Sequence, residues 1–114
     1  MTTPLPATAL CDDDCPIRRA DRILGGKWTT LIFRELFGGT KRYSELQRAL
    51  TGISPRILAD RLQMLQAEGL VTRRLIPDVP PKTEYSLTPK GQNVEGVLAA
   101  MAAFGESLKA DPAR

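Results

Sequence analysis

The sequence contains no histidine in 114 residues. Without imidazole there is no Ser-His-Asp or Cys-His couple for nucleophilic catalysis, and the metal centres that use imidazole ligands are excluded too. Cysteine is nearly as scarce, with Cys11 and Cys15 only. Two cysteines are too few for the disulfide framework of a small secreted domain, and their spacing matches neither the C-x-x-C of thiol oxidoreductases nor a standard zinc pattern. No apolar run reaches the roughly 20 residues needed to cross a bilayer, and the N-terminus lacks a basic stretch followed by an apolar core. The expectation is a cytoplasmic protein without membrane span, metal or cofactor. An enzyme would have to be a thiol oxidoreductase, and it would lack a second catalytic group.

What is present fits one domain with a modest core, 42% of the residues being hydrophobic. The net charge of +3 conceals an asymmetry, because residues 16–90 carry fourteen Lys or Arg against seven Asp or Glu, whereas both ends are acidic. A positive excess confined to the middle of the chain suits a polyanionic partner.

Residues 1–14, with Pro4 and Pro6 among small side chains, read as a flexible leader. Pro16 opens a short helix to Leu24, with Ile17, Ala20 and Leu24 on one side and Gly25-Gly26 as its stop. A second helix over 27–36 carries the stripe Trp28, Leu31, Ile32 and Leu36, and Trp28 is expected in the core. A basic turn, Thr40 to Tyr43, leads to a third helix for which Ser44 is the expected cap, with Gln47 completing a capping box. Gly52 ends it.

Ser54 and Pro55 then supply a hydroxyl cap and a first-turn proline, and Gly69 suits the residue past the end of the resulting helix. Leu58, Leu62 and Leu65 fall on one stripe, with Arg56, Asp60, Gln63 and Ala67 opposite. Two helices joined by a short link containing glycine are the pattern of a helix-turn-helix. After Gly69 the period becomes alternating, giving strands at 70–76 and 82–87 joined through Pro77, Pro80 and Pro81 in a projecting loop. Thr88-Pro89 opens a last helix, where Val94, Val97, Leu98, Met101, Phe104 and Leu108 recur at three- and four-residue steps. That stripe exceeds what the core needs, so part of it reads as a contact between two copies of the chain.

The expected architecture is α+β, mainly α. It is a winged helix-turn-helix over residues 15–108 with a two-stranded β-wing, terminal helices that dimerise, and a tail at 109–114. In such a fold the second helix of the pair enters the major groove and the wing lies along the backbone. Ser54, Pro55, Arg56, Asp60 and Gln63 are the candidates for reading base edges. Lys41, Arg42, Arg73, Arg74 and Lys82 are the candidates for phosphate, joined by Arg61, which sits at the flank of the wheel and could instead meet an internal carboxylate. A winged helix that binds protein rather than DNA is the rival reading.

A resemblance coincides with these features. Cys15-Pro16, Gly26-Lys27-Trp28, Lys41-Arg42-Tyr43-Ser44-Glu45-Leu46, Gly52-Ile53-Ser54, Arg61-Leu62, Glu68-Gly69-Leu70-Val71, Val79-Pro80-Pro81 and Tyr85 to Gly91 together resemble the HxlR-type family of bacterial winged-helix transcription regulators. The likeness runs over about residues 15–105, with Tyr43 in place of the family's usual Phe. It implies a homodimer on an inverted-repeat operator that regulates a nearby gene, often one for detoxifying electrophiles or oxidants, with repression the expected sense and activation left open. It also implies a dimer interface in the terminal helices, here Ile17, Leu24, Val97, Leu98, Met101, Phe104 and Leu108, and an oxidant or small-molecule effector. The Cys before Pro is a redox sensor in several members and maps to Cys15, with Cys11 an addition to the pattern. From the residues alone Cys15 could equally be a packing cysteine or, less readily, a metal ligand. On one helical face the two cysteines would hold their Cβ atoms about 6 Å apart, too far for an internal disulfide without unwinding.

Overall fold

The structure, a computed structural model, describes residues 15–109. The leader with Cys11, and the tail beyond Lys109, lie outside the described residues. Helices α1 (Pro16–Leu24) and α2 (Thr29–Phe37) are followed by a short strand β1 (Lys41–Arg42), α3 (Tyr43–Ala49) and α4 (Pro55–Ala67). Strands β2 (Val71–Ile76) and β3 (Lys82–Leu87) come next, and then α5 (Pro89–Gln92) and α6 (Glu95–Lys109).

The helix starts follow local chemistry. Pro16, Pro55 and Pro89 each occupy a first-turn position, where no N–H is needed. The Ser54 hydroxyl accepts from the Ile57 N–H at 3.1 Å and the Thr88 hydroxyl accepts from the Gly91 N–H at 3.0 Å. The expected cap of the third helix is corrected. Ser44 lies inside α3, whose N-cap is Arg42, and the Glu45 carboxylate accepts from the Arg42 N–H at 2.8 Å. A charged acceptor three residues along satisfies that orphan donor better than the neutral Gln47 two residues later. That hydrogen bond foremost, helped by the charges of Arg42, Lys41 and Arg48 against a smaller desolvation effect, holds the Glu45 acid below the ordinary carboxylate value. A depressed folded-state value stabilises above the unfolded pKa and is lost as the pH falls through the folded one, so the small contribution of this cap to α3 is confined to pH above the carboxylate range.

The core lies where α2, α3, α4 and the base of the sheet meet. Ile32, Phe33, Leu36, Leu46, Leu50, Leu58, Leu62 and Leu65 are buried there with Leu70, Val71 and Tyr85. The expected stripe of α4 is therefore its inward face, and each such side chain contributes roughly 1.5–3 kcal/mol by leaving water. Trp28 is at the core's edge and only half buried, with the Lys27 ammonium 5.1 Å from its ring centroid. As the α2 N-cap it stands before the helix that carries the stripe, where one flank stays wet.

The wing is larger than expected. β2 and β3 form the antiparallel ribbon read from the sequence, but β1 pairs with the other edge of β3, giving the order β1-β3-β2. The Thr40 and Ser86 hydroxyls, 2.7 Å apart, extend this pairing. The register sets Arg42, Glu84 and Arg74 in a row on one sheet face, and Lys41, Tyr85 and Arg73 in a row on the other.

The end of α4 is fastened to the start of α5. Gly69 turns left-handed (φ 75°) and a Schellman closure forms, with Gly69 N–H bonded to Gln66 C=O at 3.0 Å and Leu70 N–H to Leu65 C=O at 2.9 Å. The Thr88 hydroxyl donates to the Gly69 carbonyl at 2.7 Å, and the Lys90 ammonium donates to the Glu68 carbonyl at 2.8 Å. The last helix, expected to be continuous, is broken at Asn93 and Val94. There the N–H groups bond three residues back, to the Lys90 and Gly91 carbonyls, before α6 resumes. Among the described residues no helix is long and apolar enough to cross a membrane.

Candidate nucleic-acid interface

Helix α4 presents Arg56, Asp60 and Gln63 exposed along the side away from Leu58, Leu62 and Leu65. Their donors and acceptors match base edges: Arg and Gln for guanine and adenine, Asp for the amino group of cytosine. Ser54 and Pro55 stand exposed at the leading end of the same helix, where base-reading residues of a helix-turn-helix gather. The Ser54 oxygen already accepts the Ile57 N–H, so its hydroxyl has its proton to offer a phosphate, and that proton or one remaining lone pair to offer a base. Ile57 was missed in the sequence argument. It is partly exposed beside the Arg56 face, positioned for apolar contact with a thymine methyl. Its signal was an isoleucine one step off the buried stripe.

Tyr43 ties together the two helices of the motif. Its hydroxyl donates to the Pro55 carbonyl at 2.9 Å, joining the first turn of α3 to the first turn of α4. Partial burial, with nearby Tyr85 second, raises the Tyr43 phenol above its ordinary value. A raised folded-state value stabilises below the unfolded pKa and is lost as the pH climbs past it, which adds to the loss of the donated proton. Tyr43→Phe is expected to cost about 1 kcal/mol at neutral pH. In chemical unfolding that difference should shrink on going into the alkaline range, and a pH-independent difference would count against the hydroxyl as its source.

The expected phosphate contacts separate into groups. Arg42 and Lys82 line one cleft between the start of α3 and the wing. Arg74 shares the sheet face of Arg42, whereas Arg73, also exposed, points to the opposite face. Lys41 is half buried and its ammonium lies over Gly38, the C-cap of α2, 3.9 Å from where a Cβ on that glycine would be. A cation there complements the carbonyl end of α2. Arg61 turns inward. Its Nε is shut off from solvent without a hydrogen-bond partner among the described residues, and a terminal nitrogen lies 3.5 Å from the position of a Cβ on Gly26. Among the described residues no carboxylate meets that Nε.

Cys15 is the N-cap of α1 and only 3% exposed, so its thiol is covered in this conformation. Cys11 lies outside the described residues. Along α6, Val97, Met101, Phe104 and Leu108 are exposed, as is Ile17 on α1, while Leu24 and Leu98 pack against the edge of the core.

This arrangement has close relatives. A regulator from Synechocystis, described as an HTH-type transcriptional regulator, is 42% identical over 91 residues, spanning 80% of this chain and 67% of its own. A MarR-family transcriptional regulator from Porphyromonas gingivalis W83 superposes with a TM-score of 0.79 at 43% identity, over 83% of this chain and 93% of that one. The redox regulator HypR in its reduced form superposes with a TM-score of 0.78 at 37% identity, over 83% and 94% of the two chains. The winged-helix architecture is thus shared with transcription regulators. The HxlR-like helix-turn-helix family matches residues 23–112, from the last turn of α1 past the end of α6, and the chain belongs to that family of DNA-binding regulators.

Proposed function

We propose that the protein is a sequence-specific transcriptional repressor that binds an inverted-repeat operator in the cytoplasm as a homodimer. The observation that carries this reading is the outer face of α4, where Arg56, Asp60 and Gln63 stand exposed on a helix whose opposite face is locked into the core. Dimerisation through α6 and α1 would present two such helices to half-sites about one helical turn apart. Arg56→Ala is expected to lose about 1–3 kcal/mol on the operator while losing less on random duplex, which relaxes specificity. Equal losses on both would reduce Arg56 to a phosphate contact. Affinity should fall linearly with log salt at about 0.9 per neutralised phosphate. A flat response would favour the rival reading, a module for protein partners.

An oxidant response through Cys15 is the finer part of the proposal, supported by the likeness to a redox regulator and by the placement of the thiol at the head of α1. Two thiols giving up two electrons and two protons to an oxidant would join Cys15 to Cys11 or to a cysteine of the second copy. Because the thiol is covered, that reaction requires Cys15 to become exposed first. Selection of bound genomic fragments with the protein reduced and then oxidised identifies the operator. Identical fragments and affinities in the two states would remove the redox role.

A further inference from the structure

One of the residues lining the cleft between α3 and the wing is paired with an acid. The cleft measures about 350 Å³, with Arg42, Tyr43 and Ser44 on one wall and Pro80, Pro81 and Lys82 on the other. Two cationic side chains and a hydroxyl from separate elements therefore converge on one space. The prolines make the wing side of that space stiff, so the seat is shaped before any ligand arrives. Lys82, however, is not idle. Its ammonium lies 3.6 Å from the Asp78 carboxylate, four residues back across the wing loop. Both side chains are partly exposed, and such a pair is a weak tether that exchanges readily for a better acceptor. A phosphodiester, anionic and with two free oxygens, is such an acceptor.

We propose that this cleft seats one backbone phosphate of DNA between Arg42, Lys82 and the Ser44 hydroxyl, and that Asp78 occupies Lys82 as a stand-in for that phosphate in the DNA-free protein. The proposal rests on the DNA-binding reading above. Docking then exchanges one anion for another at Lys82 and leaves the Asp78 carboxylate beside a polyanion. The penalty is the same for every sequence, because a phosphate carries no base identity. Asp78 therefore lowers the sequence-independent share of the affinity, for operator and non-operator DNA alike. Of the two acids of the wing, Glu84 stands in register between Arg42 and Arg74, and Asp78 is the one that meets Lys82.

The test measures fluorescence anisotropy of labelled operator and random-sequence duplexes across a salt series, for the wild type, Asp78→Asn, Lys82→Gln and the double variant. Thermal melts check that each folds as the wild type does. Asp78→Asn should tighten binding to both duplexes about fivefold at low salt, and Lys82→Gln should weaken it by a similar factor and flatten the log–log salt slope by about 0.9. In the Lys82→Gln background the Asp78→Asn gain should vanish, because the acid has no cation to withhold. An undiminished gain in that background, or no gain in the single variant, overturns the inference while leaving DNA binding intact. Absence of salt-dependent binding by the wild type overturns the DNA reading itself, and this inference with it.

Discussion

Phe104→Glu is expected to leave the protein monomeric at micromolar concentration and to abolish high-affinity binding to an inverted repeat. Phe104 is 66% exposed, and Met101 at 50%, Val97 at 44% and Leu108 at 40% continue the same stripe of α6. They recur at steps of four and three residues, the spacing of one helix face. In a symmetric dimer each substitution counts twice. Two phenyl rings would be withdrawn, each contributing about 1.5–3 kcal/mol when buried, and two carboxylates would enter apolar surroundings without partners. Losing the second half-site removes the advantage of linked binding, so operator affinity should fall by about a hundredfold or more. The folded monomer should persist, because no residue of α6 is fully buried. Sedimentation and anisotropy check the two halves separately. A dimeric Phe104→Glu protein would place the subunit contact elsewhere, and a monomer with unchanged operator affinity would remove the inverted repeat.

Gly91→Ala is expected to be the most damaging single methyl group in the molecule. A Cβ at residue 91 would run into the Leu70 carbonyl oxygen, and it would stand 3.1 Å from the Leu70 carbonyl carbon and 3.2 Å from a Leu87 methyl. Two of those obstacles are backbone, so no rotamer change relieves them. Leu70 is itself held in place, since its carbonyl accepts from the Thr88 N–H at 3.0 Å and its N–H closes the turn after α4. Relief requires α5 to lift from that turn, at a cost of about 3 kcal/mol or more. The melting temperature should drop by roughly 10–20 °C, on the usual scaling for a domain of this size. A drop of only a few degrees would mean that the junction yields more easily than its hydrogen bonds imply.

The legible parts of the sequence were those where local chemistry and periodicity agreed. Ser54-Pro55 and Thr88-Pro89 mark helix starts because a hydroxyl and a ring act within a few residues. Leu58, Leu62 and Leu65 mark an inward face because burial repeats with the helical turn. The outward placement of Arg56, Asp60 and Gln63 followed from the same geometry. What failed to show depends on distant partners. Strand β1 has two residues and no period of its own; it exists because β3 offers an edge forty residues on. The apolar rhythm of the last helix continues across Asn93 and Val94, so the break between α5 and α6 leaves no mark in the pattern. Lys41 and Arg61 have long side chains whose direction is set by what lies within reach. Their ends lie beside Gly38 and Gly26, two glycines remote in the helical pattern that places Arg61 at the flank of α4.

The fastening of α4 to α5 has a mechanical meaning. Thr88 donates to Gly69 and accepts from Gly91, while Lys90 grips the Glu68 carbonyl, so the end of the proposed reading helix is tied to α5, which leads into the proposed pairing helix α6. The two subunits of the proposed dimer then behave like the arms of a caliper hinged at α6. A small change in how the copies meet becomes a change in the gap between the two reading heads, and the fixed pitch of the double helix decides whether that gap still fits.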